Sequence, residues 1–475
     1  MKKRMTFCCL LAALLAFCCV FASAASAKKT TKVVDHVVYR YYDKNGKTPA
    51  YYAVTDFFDT AAAAKENKMK TIKIRESIGG VPVTAIETGR YYPDSDEFRS
   101  THRTSNAVRK IVLPNSVTSI SCCAFSDFAW LKVVRFPDKI TAIPDGAFRN
   151  CTYLKSVEMK KITSIGHYAF QNCHALFKFE FPDTLKSIGV GAFRGSALKS
   201  VSLPSIGNYP YYPCGDYAFA DCFNLKKVTF LDSKKKEGLT VSTGMFQNCT
   251  DLETVVFPKE VSHIRVKNVA FGYCDNLKTI KNTGHLTEID TGAFGHCWGL
   301  KKFVIPAGIE YVHPYAFLGS VNLKTVYLNC TDTNLLQRSL EKYKYFALQD
   351  GNFIDFLRND CMIYVKTPKM KQMVQNEGLH SKVAVRVTVT APQTLTATAE
   401  DGTVTLQWTE VKNADGYGVF CYDAETKNYT PVDAAVDGVT CTIADAPQDA
   451  QYIVRACRVI DGDVSWSADS PAAAA

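Results

Sequence analysis

Long apolar runs are absent from this 475-residue chain after about residue 21, so the sequence predicts no membrane-spanning helix beyond that point. Gly-x-Ser-x-Gly, His-Glu-x-x-His, P-loop and Rossmann glycine patterns are absent as well, as is any Cys-x₂-Cys pair. The nine histidines are scattered. These absences predict a protein that is not an enzyme and that holds no cofactor and no metal ion.

A strong excess of one charge is also missing. The chain has 56 Lys and Arg against 46 Asp and Glu, and the net charge of +10 is too diffuse to predict nucleic-acid binding. Hydrophobic residues make up 47%, which excludes a disordered chain, and 27 Gly with 18 Pro exclude a collagen-like one. A large buried core is therefore expected.

Residues 1–27 have the three-part layout of a secretory signal peptide. A basic start of two lysines and an arginine precedes an apolar run from about Phe7 to Phe21, and small residues follow up to Ala-x-Ala sites that end at Ala24 or Ala27. The competing interpretation is a membrane anchor, for which the apolar run is short. The sequence thus predicts a secreted or cell-surface protein with no membrane span after removal of the signal.

An Ala-Phe or Met-Phe dipeptide recurs nine times with a period of 22 to 27 residues. The repeat phenylalanines are Phe125, Phe148, Phe170, Phe193, Phe219, Phe246, Phe271, Phe294 and Phe317. Apolar residues stand eight and five positions before most of these phenylalanines. A Leu-x-x-Val-x-Phe-like segment with period-two alternation usually follows the Phe. One short strand and one return segment per repeat predict a stacked solenoid.

This pattern, with its Ala-Phe, Asn-Cys, Leu-Lys-x-Val and Phe-Pro elements, resembles the BspA-type leucine-rich repeats of bacterial and some protist surface proteins. The resemblance covers roughly residues 71–330 and implies an α/β-type leucine-rich repeat solenoid, with short parallel strands and irregular or short helical return segments. Insertions interrupt it at 87–107, 205–215 and 231–243.

The two flanks of the array differ from the repeats. Two strand-like segments around Lys44-Asn45-Gly46 predict an N-terminal capping hairpin within 28–70. Residues 331–388 contain helix-like stretches at 333–350 and 369–377, and the family resemblance implies that 363–387 closes the solenoid. From 389 to 475, short alternating strands predict an all-β sandwich that resembles a fibronectin type III domain, in which Trp408 would be the buried tryptophan and Tyr452 the tyrosine corner.

Eighteen cysteines are present, and four of them fall in the predicted signal peptide. Six occupy one register, three positions after the repeat Phe: Cys151, Cys173, Cys222, Cys249, Cys274 and Cys297. Parallel side chains one strand apart do not suit disulfide geometry, so these are expected to be buried, reduced thiols that pack as small apolar residues. Pairings among Cys330, Cys361, Cys421, Cys441 and Cys457 stay open.

Seven positions after the repeat Phe, lysine recurs, and this row accounts for much of the positive balance. Its members are Lys132, Lys155, Lys226, Lys278, Lys301 and Lys324, with Lys199 one place early in a shortened repeat. Two interpretations stay open: a solvated edge that keeps the array soluble, or a surface that attracts an anionic polymer such as a sulfated or teichoic-type glycan.

Strand residues that point away from the core predict a concave binding face. The candidate ligand-binding residues on it are Arg135, Lys178, Lys302 and Tyr327, and those on the insertions are Tyr91, Tyr92, Tyr209, Tyr211 and Tyr212. The insertion tyrosines also admit a structural interpretation, in which they cover the flank of the solenoid.

The resemblance implies an extracellular adhesion or binding protein that recognises a protein or glycan ligand and no nucleic acid. The alternative is an exported glycan-binding accessory, or another carbohydrate-handling protein, that uses the tyrosine-rich insertions. The ligand, the binding face and the oligomeric state are not determined by the sequence.

Overall fold

Alternation of apolar and polar residues over three to six positions favours short strands that bury one face, and strands of this kind dominate the chain. The computed structural model describes residues 31–35, 37–43, 50–57, 71–92, 97–100, 108–159, 161–204, 214–232, 238–313, 315–331, 361–376, 383–386, 389–447, 449–460 and 463–474. The predicted signal peptide and the helix-like stretch 333–350 lie outside these residues.

The N-terminal part forms antiparallel and parallel strand pairs. Its strands are β1 Thr31–Val34, β2 Val37–Tyr42, β3 Tyr51–Asp56, β4 Thr71–Lys73, β5 Ser77–Ile78, β6 Val81–Ile86, β7 Gly89–Tyr92 and β8 Glu97–Ser100. Strands β1, β2 and β3 are antiparallel, whereas β3 joins β6 in parallel. The hairpin strands are therefore hydrogen-bonded to the first part of the array.

Each repeat of the array contributes up to two short strands. They are β9 Lys110–Val112, β10 Ser119–Ile120, β11 Val133–Arg135, β12 Ala142–Ile143, β13 Ser156–Glu158, β14 Ser164–Ile165, β15 Ser187–Ile188, β16 Ser200–Leu203, β17 Lys227–Phe230, β18 Leu239–Val241, β19 Thr254–Val256, β20 Ile264–Val266, β21 Thr279–Lys281, β22 Leu286–Ile289, β23 Lys302–Ile305, β24 Tyr311–Val312 and β25 Thr325–Leu328. A 3₁₀ turn, Thr283–His285, precedes β22.

The strands stack in register from one repeat to the next, in two rows. We call the row after each repeat Phe the front sheets: β4–β9–β11–β13, β16–β17–β19–β21 and β23–β25, which continues into β26 Met362–Val365 and β27 Val383–Val385. The row before each Phe comprises β6–β10, β12–β14–β15 and β18–β20–β22–β24, and we call these the side sheets. All of these pairs are parallel, so the repeat region is a solenoid of short parallel strands.

The resemblance implies irregular or short helical return segments, and the return segments of the described repeats are irregular. Within the described repeats they are tight turns, and residues two positions before and after the Phe adopt a left-handed backbone, as at Gly146 (φ 59°) and Asn150 (φ 59°). Two left-handed residues four positions apart interrupt any α-helix, because a right-handed helix requires negative φ throughout. Helix α1, Pro368–Asn376, lies beyond the array, between β26 and β27.

The repeat phenylalanines form the centre of one continuous core. All nine are fully buried, and neighbouring rings stack with centroids 5.0–5.7 Å apart. The cluster extends without interruption from Val37 to Val385. Each repeat thus buries its apolar face against its neighbours, as the period predicts.

Residues 395–474 form two antiparallel sheets. Their strands are β28 Leu395–Glu400, β29 Thr403–Trp408, β30 Gly416–Asp423, β31 Asn428–Pro431, β32 Val436–Asp437, β33 Thr440–Ile443, β34 Gln451–Ile460, β35 Asp463–Trp466 and β36 Ala473–Ala474. The sheet orders are β28–β29–β33–β32 and β31–β30–β34–β35, with β36 on β34. Trp408 and Tyr452 are buried in the cluster that the two sheets share.

The expected tyrosine corner at Tyr452 is not formed. In the described part of the chain the buried Tyr452 hydroxyl makes no hydrogen bond to the backbone, whereas the Tyr417 hydroxyl accepts a hydrogen bond from the Val411 amide at 2.8 Å. Tyr417 is therefore the tyrosine whose hydroxyl bonds the backbone. Its ring also lies 5.4 Å from that of Trp408.

Candidate ligand-binding surface

The front-sheet candidates lie at separate places along the array. Arg135 on β11 is exposed, and its Cα partner on β13 is Glu158. Lys178 is also exposed, but the prediction that it lies on a strand is wrong, because it falls in the strand-free segment between β14 and β15, and its Nζ lies 2.8 Å from the Glu180 carboxylate. Lys302 and Tyr327, in contrast, lie on neighbouring strands β23 and β25.

A pair of stacked tyrosines is the most distinct feature near Lys302. The Tyr327 and Tyr364 rings are 5.2 Å apart at an interplanar angle of 14°. The Arg386 guanidinium lies 5.1 Å from the centre of the first ring and 5.5 Å from that of the second, and it donates a hydrogen bond to the Tyr327 hydroxyl at 3.0 Å. We call Tyr327, Tyr364 and Arg386 the aromatic platform.

Strand alternation places this platform on the solvent side. Val326, Leu328, Ile363 and Val365 are buried, so Tyr327 and Tyr364 between them point outward. The parallel register pairs Val304, Tyr327 and Tyr364 on three consecutive strands. Val304 is 36% exposed, and it extends the apolar surface by one strand.

The arrangement suits binding by stacking. Two ring faces that are partly exposed offer a flat apolar surface, and the guanidinium adds a positive charge that is held in place by its hydrogen bond to the Tyr327 hydroxyl. Aromatic residues and Arg are enriched among the residues that dominate binding energy at interfaces. The platform can therefore hold the apolar face of a ligand and a nearby acceptor.

Sequence reasoning found Tyr327 but missed Tyr364 and Arg386. Ile363-Tyr364-Val365 has the same apolar–polar alternation as the repeat strands, and aligning it with β25 would have placed Tyr364 beside Tyr327. No signal in the sequence places Arg386 there, because it is separated from β26 by helix α1 and the residues that follow that helix.

The six cysteines that stand three positions after the repeat Phe stabilise the fold. All six are fully buried, and each thiol donates to the carbonyl of the previous repeat's Phe, with Sγ–O distances of 3.0–3.3 Å. Burial raises the pKa of the Cys297 thiol to about 12, so it stays protonated near neutral pH and is a poor nucleophile. The expectation of purely apolar packing is thus incomplete, since the thiols also satisfy backbone acceptors.

Ser320 reveals the signal that sequence reasoning overlooked. It stands in the same register as the cysteines, and its hydroxyl donates to the Phe294 carbonyl at 2.7 Å. A hydroxyl can therefore take the place of the thiol as the donor at this register, which Ser196 also occupies and which Phe128 fills in the first copy.

The insertion tyrosines are described only in part. Tyr91 and Tyr92 lie on β7, which pairs with β8 as an antiparallel hairpin. Tyr209, Tyr211 and Tyr212 lie outside the described residues.

The described residues contain neither a metal-ligand cluster nor a membrane-spanning helix. No group of three or more His, Cys, Asp or Glu residues in this part of the chain has the arrangement of a metal site. Likewise, none of the helices described is long and apolar enough to cross a membrane.

The repeats match a known family. A family model described as the BspA type leucine rich repeat region, in six copies, matches residues 99–215 and 212–346. Together these ranges span just over half of the chain. No curated protein matches the sequence.

Several solved structures resemble the chain at low identity. A leucine rich cell surface protein from Faecalibacterium prausnitzii A2-165 is 19% identical with a TM-score of 0.32, over 66% of this chain and 91% of its own. A leucine-rich repeat protein from Bacteroides ovatus ATCC 8483 is 19% identical with a TM-score of 0.30, over 70% and 99%. The pneumococcal vaccine antigen PcpA is 17% identical with a TM-score of 0.36, over 76% and 100%.

Proposed function

Because the chain belongs to the BspA-type leucine-rich repeat family, we propose that it is a secreted or cell-surface binding protein that recognises a protein or glycan ligand through its repeat surface. Residues 1–27 act as the signal peptide, and the ligand contacts the exposed side of the front sheets. The observation that carries this proposal is the aromatic platform, two stacked tyrosines under an arginine on an otherwise mixed polar surface.

The domain organisation forms part of the proposal. The chain comprises a capping hairpin region at 28–70, the solenoid at 71–330, a closing cap at 331–388 and a fibronectin type III-like β-sandwich at 389–475. The order β28–β29–β33–β32 in one sheet and β31–β30–β34–β35 in the other supports the last assignment, because a sandwich of this type divides its strands between two antiparallel sheets. In this arrangement the sandwich serves as a spacer or second module.

The direct test is an array of extracellular matrix proteins and glycans probed with residues 28–475. Replacing both Tyr327 and Tyr364 by Ala should weaken binding to the recognised ligand at least about tenfold, because buried aromatic anchors dominate interface energies. Tyr422→Ala is the matched control, since Tyr422 is 41% exposed but lies in the C-terminal sheets. Equal binding by the double variant and the control would contradict a front-sheet site.

The alternative function is an exported glycan-binding accessory. The tyrosine-rich insertion at 205–215 favours it, because exposed aromatics on loops are common recognition elements. Binding to sugars alone that is abolished by replacing Tyr209, Tyr211 and Tyr212 would support this alternative over the first.

A further inference from the structure

A row of lysines runs along the solenoid at the start of the front-sheet strands. Its exposed members are Lys132, Lys155, Lys199, Lys226, Lys278, Lys301 and Lys324, and Arg109 stands at its N-terminal end. Phe177 and Glu253 are the two interruptions. We call this row the lysine edge.

Backbone hydrogen bonds hold the lysine edge at a regular step. The Lys155 amide donates to the Lys132 carbonyl at 2.9 Å, the Lys226 amide to the Lys199 carbonyl at 2.9 Å, and the Lys324 amide to the Lys301 carbonyl at 2.9 Å. The step equals the spacing between paired strands, about 4.8 Å, so the ten positions from Arg109 to Lys324 span about 43 Å.

Six lysines of the edge make no ion pair with a described residue: Lys132, Lys155, Lys199, Lys226, Lys278 and Lys301. The lysine ion pairs of the described residues include those of Lys178 with Glu180, Lys267 with Glu288 and Asp290, and Lys371 with Asp463, and the acidic residue within the row is Glu253. Parallel like charges one strand apart repel one another, and an anionic chain laid along them would relieve this repulsion.

Exposed aromatic rings accompany the lysines. Tyr153 is 44% exposed and stacks on Trp130 at 4.4 Å, with the Arg109 guanidinium 4.6 Å from the Trp130 ring centre. Phe177 is 48% exposed, and the Lys199 Nζ lies 5.3 Å from its ring centre. Trp130 and Tyr153 each precede a lysine of the edge by two positions and Phe177 takes the place of one, so aromatic rings lie beside the cationic groups in the N-terminal half of the edge.

A cleft of about 370 Å³ opens beside the edge where one repeat is a residue short. Leu198 follows Phe193 by five positions instead of six, and Gly195, Ser196 and Ala197 leave space between neighbouring repeats. Phe223, 52% exposed, forms one wall, and Asn172, His174 and Asn224 add polar groups. The Asp221 carboxylate also lines the cleft, and its charge is balanced by Arg194, whose Nε lies 2.7 Å away. Aromatic faces beside hydrogen-bonding groups suit a ring that is apolar on one side and polar at its rim.

We propose that the lysine edge binds a linear anionic polysaccharide, carboxylated or sulfated, which lies along the solenoid with one sugar ring in the cleft beside Phe223. A nucleic acid fits less well, because the exposed rings are spaced irregularly and form no continuous platform for successive bases. The inference rests on the proposed extracellular binding role, but it assigns a ligand class to a surface distinct from the aromatic platform.

The experiment measures binding of the full chain to immobilised dextran sulfate by surface plasmon resonance at several NaCl concentrations. The triple variant Lys132→Gln/Lys155→Gln/Lys226→Gln should weaken binding at least tenfold and flatten its dependence on salt. The matched control is Lys139→Gln/Lys161→Gln/Lys186→Gln, which removes three exposed lysines that lie off the edge, before or beside the strands of the side sheet β12–β14–β15. The control should bind within twofold of the parent chain, and neutral dextran should not bind.

Binding of two other polyanions tests whether the lysine edge prefers a polysaccharide to an acidic polypeptide or a nucleic acid. Polyglutamate and single-stranded DNA of matched charge should bind more weakly than dextran sulfate, and Phe223→Ala should weaken dextran sulfate binding at least threefold with an unchanged unfolding midpoint. Equal losses in both triple variants, equal binding of polyglutamate, or tighter binding of the DNA would overturn the proposal. The Tyr327→Ala/Tyr364→Ala variant should retain dextran sulfate binding, so that failure of the platform and failure of the lysine edge are distinguished.

Discussion

At the scale of single residues, the Asn-Cys dipeptide that recurs after the repeat Phe performs two backbone tasks. Asn150 adopts a left-handed conformation, and its side chain donates to Asp127 at 2.9 Å, as that of Asn172 does to Asn150. The next residue, Cys, donates its thiol to a buried carbonyl. Asn suits the first task because it tolerates positive φ, and Cys suits the second because it is small and carries a donor.

Changes at Cys249 test the donor role. Cys249→Ser should retain the free energy of unfolding within about 1 kcal/mol, because a hydroxyl can reach the Phe219 carbonyl that the thiol now bonds at 3.2 Å. Cys249→Ala should cost about 1–3 kcal/mol, since it removes both the donor and buried volume. Urea unfolding of the two variants measures the difference, and a more stable Ala variant would contradict the donor role.

Substitution of Gly191 tests how much the left-handed turns contribute to stability. Its φ is +57°, and a Cβ there would lie 2.6 Å from the Tyr168 ring of the preceding repeat. Gly191→Ala should therefore destabilise the chain by at least about 1–2 kcal/mol, through backbone strain and displacement of the ring.

The matched control for Gly191 is Gly308→Ala. Gly308 has no atom within 4 Å of a built Cβ, and its φ lies outside the left-handed region. Thermal unfolding should leave its melting temperature close to that of the parent chain, and an equal loss in both variants would refute the turn argument.

At the scale of elements, the strands are too short to be stable alone. Front strands of three or four residues and side strands of two to six gain their stability from stacking, because each repeat buries its apolar face only against its neighbours. The phenylalanine stack joins the two strand rows, since each ring lies on the turn that connects a side strand to the next front strand.

Substitution of Phe219 tests how much the phenylalanine stack contributes to stability. Its ring lies 5.2 Å from that of Phe193 and 5.3 Å from that of Phe246, so Phe219→Ala should cost about 3–5 kcal/mol of unfolding free energy. Phe223→Ala, four residues along on the exposed turn, should change stability by less than about 0.5 kcal/mol. Chemical denaturation of both variants provides the measurement, and similar losses would mean that the register is wrong.

At the scale of the whole molecule, one carboxylate links the end of the solenoid to the C-terminal sheets. Asp463 on β35 lies 2.8 Å from the Lys371 Nζ on α1, and the same oxygen accepts a hydrogen bond from the Val385 amide at 2.7 Å. Both charged side chains are mostly buried, and Ser465 adds a bond to the Val385 carbonyl. These contacts join the array to the following sheets without a long linker.

Asp463→Asn should uncouple the two parts. Loss of a charge-assisted contact that is largely buried should cost about 1–3 kcal/mol, and calorimetry should show the transitions of the array and the C-terminal sheets moving apart. Asp469→Asn is the control, because its ion pair with Arg455 is more exposed and lies within the C-terminal sheets. A single unchanged transition in the Asp463 variant would exclude this role.

The sequence alone was sufficient for the period, the buried phenylalanine column and the parallel strands, because these follow from which residues alternate and how often. It also placed Arg135, Lys302 and Tyr327 on exposed strand positions, since alternation decides which side chains face the core.

Only the tertiary structure decided which residues meet across repeats. Tyr364 and Arg386 join Tyr327 through strands added beyond the regular array, and the thiols reach carbonyls about one repeat away. Left-handed turns decided that the return segments are irregular and not short helices, and the cleft lies where the repeat before Leu198 is one residue shorter. The physical reason is that periodicity is a local property of the chain, whereas contacts between repeats depend on the path that each turn takes.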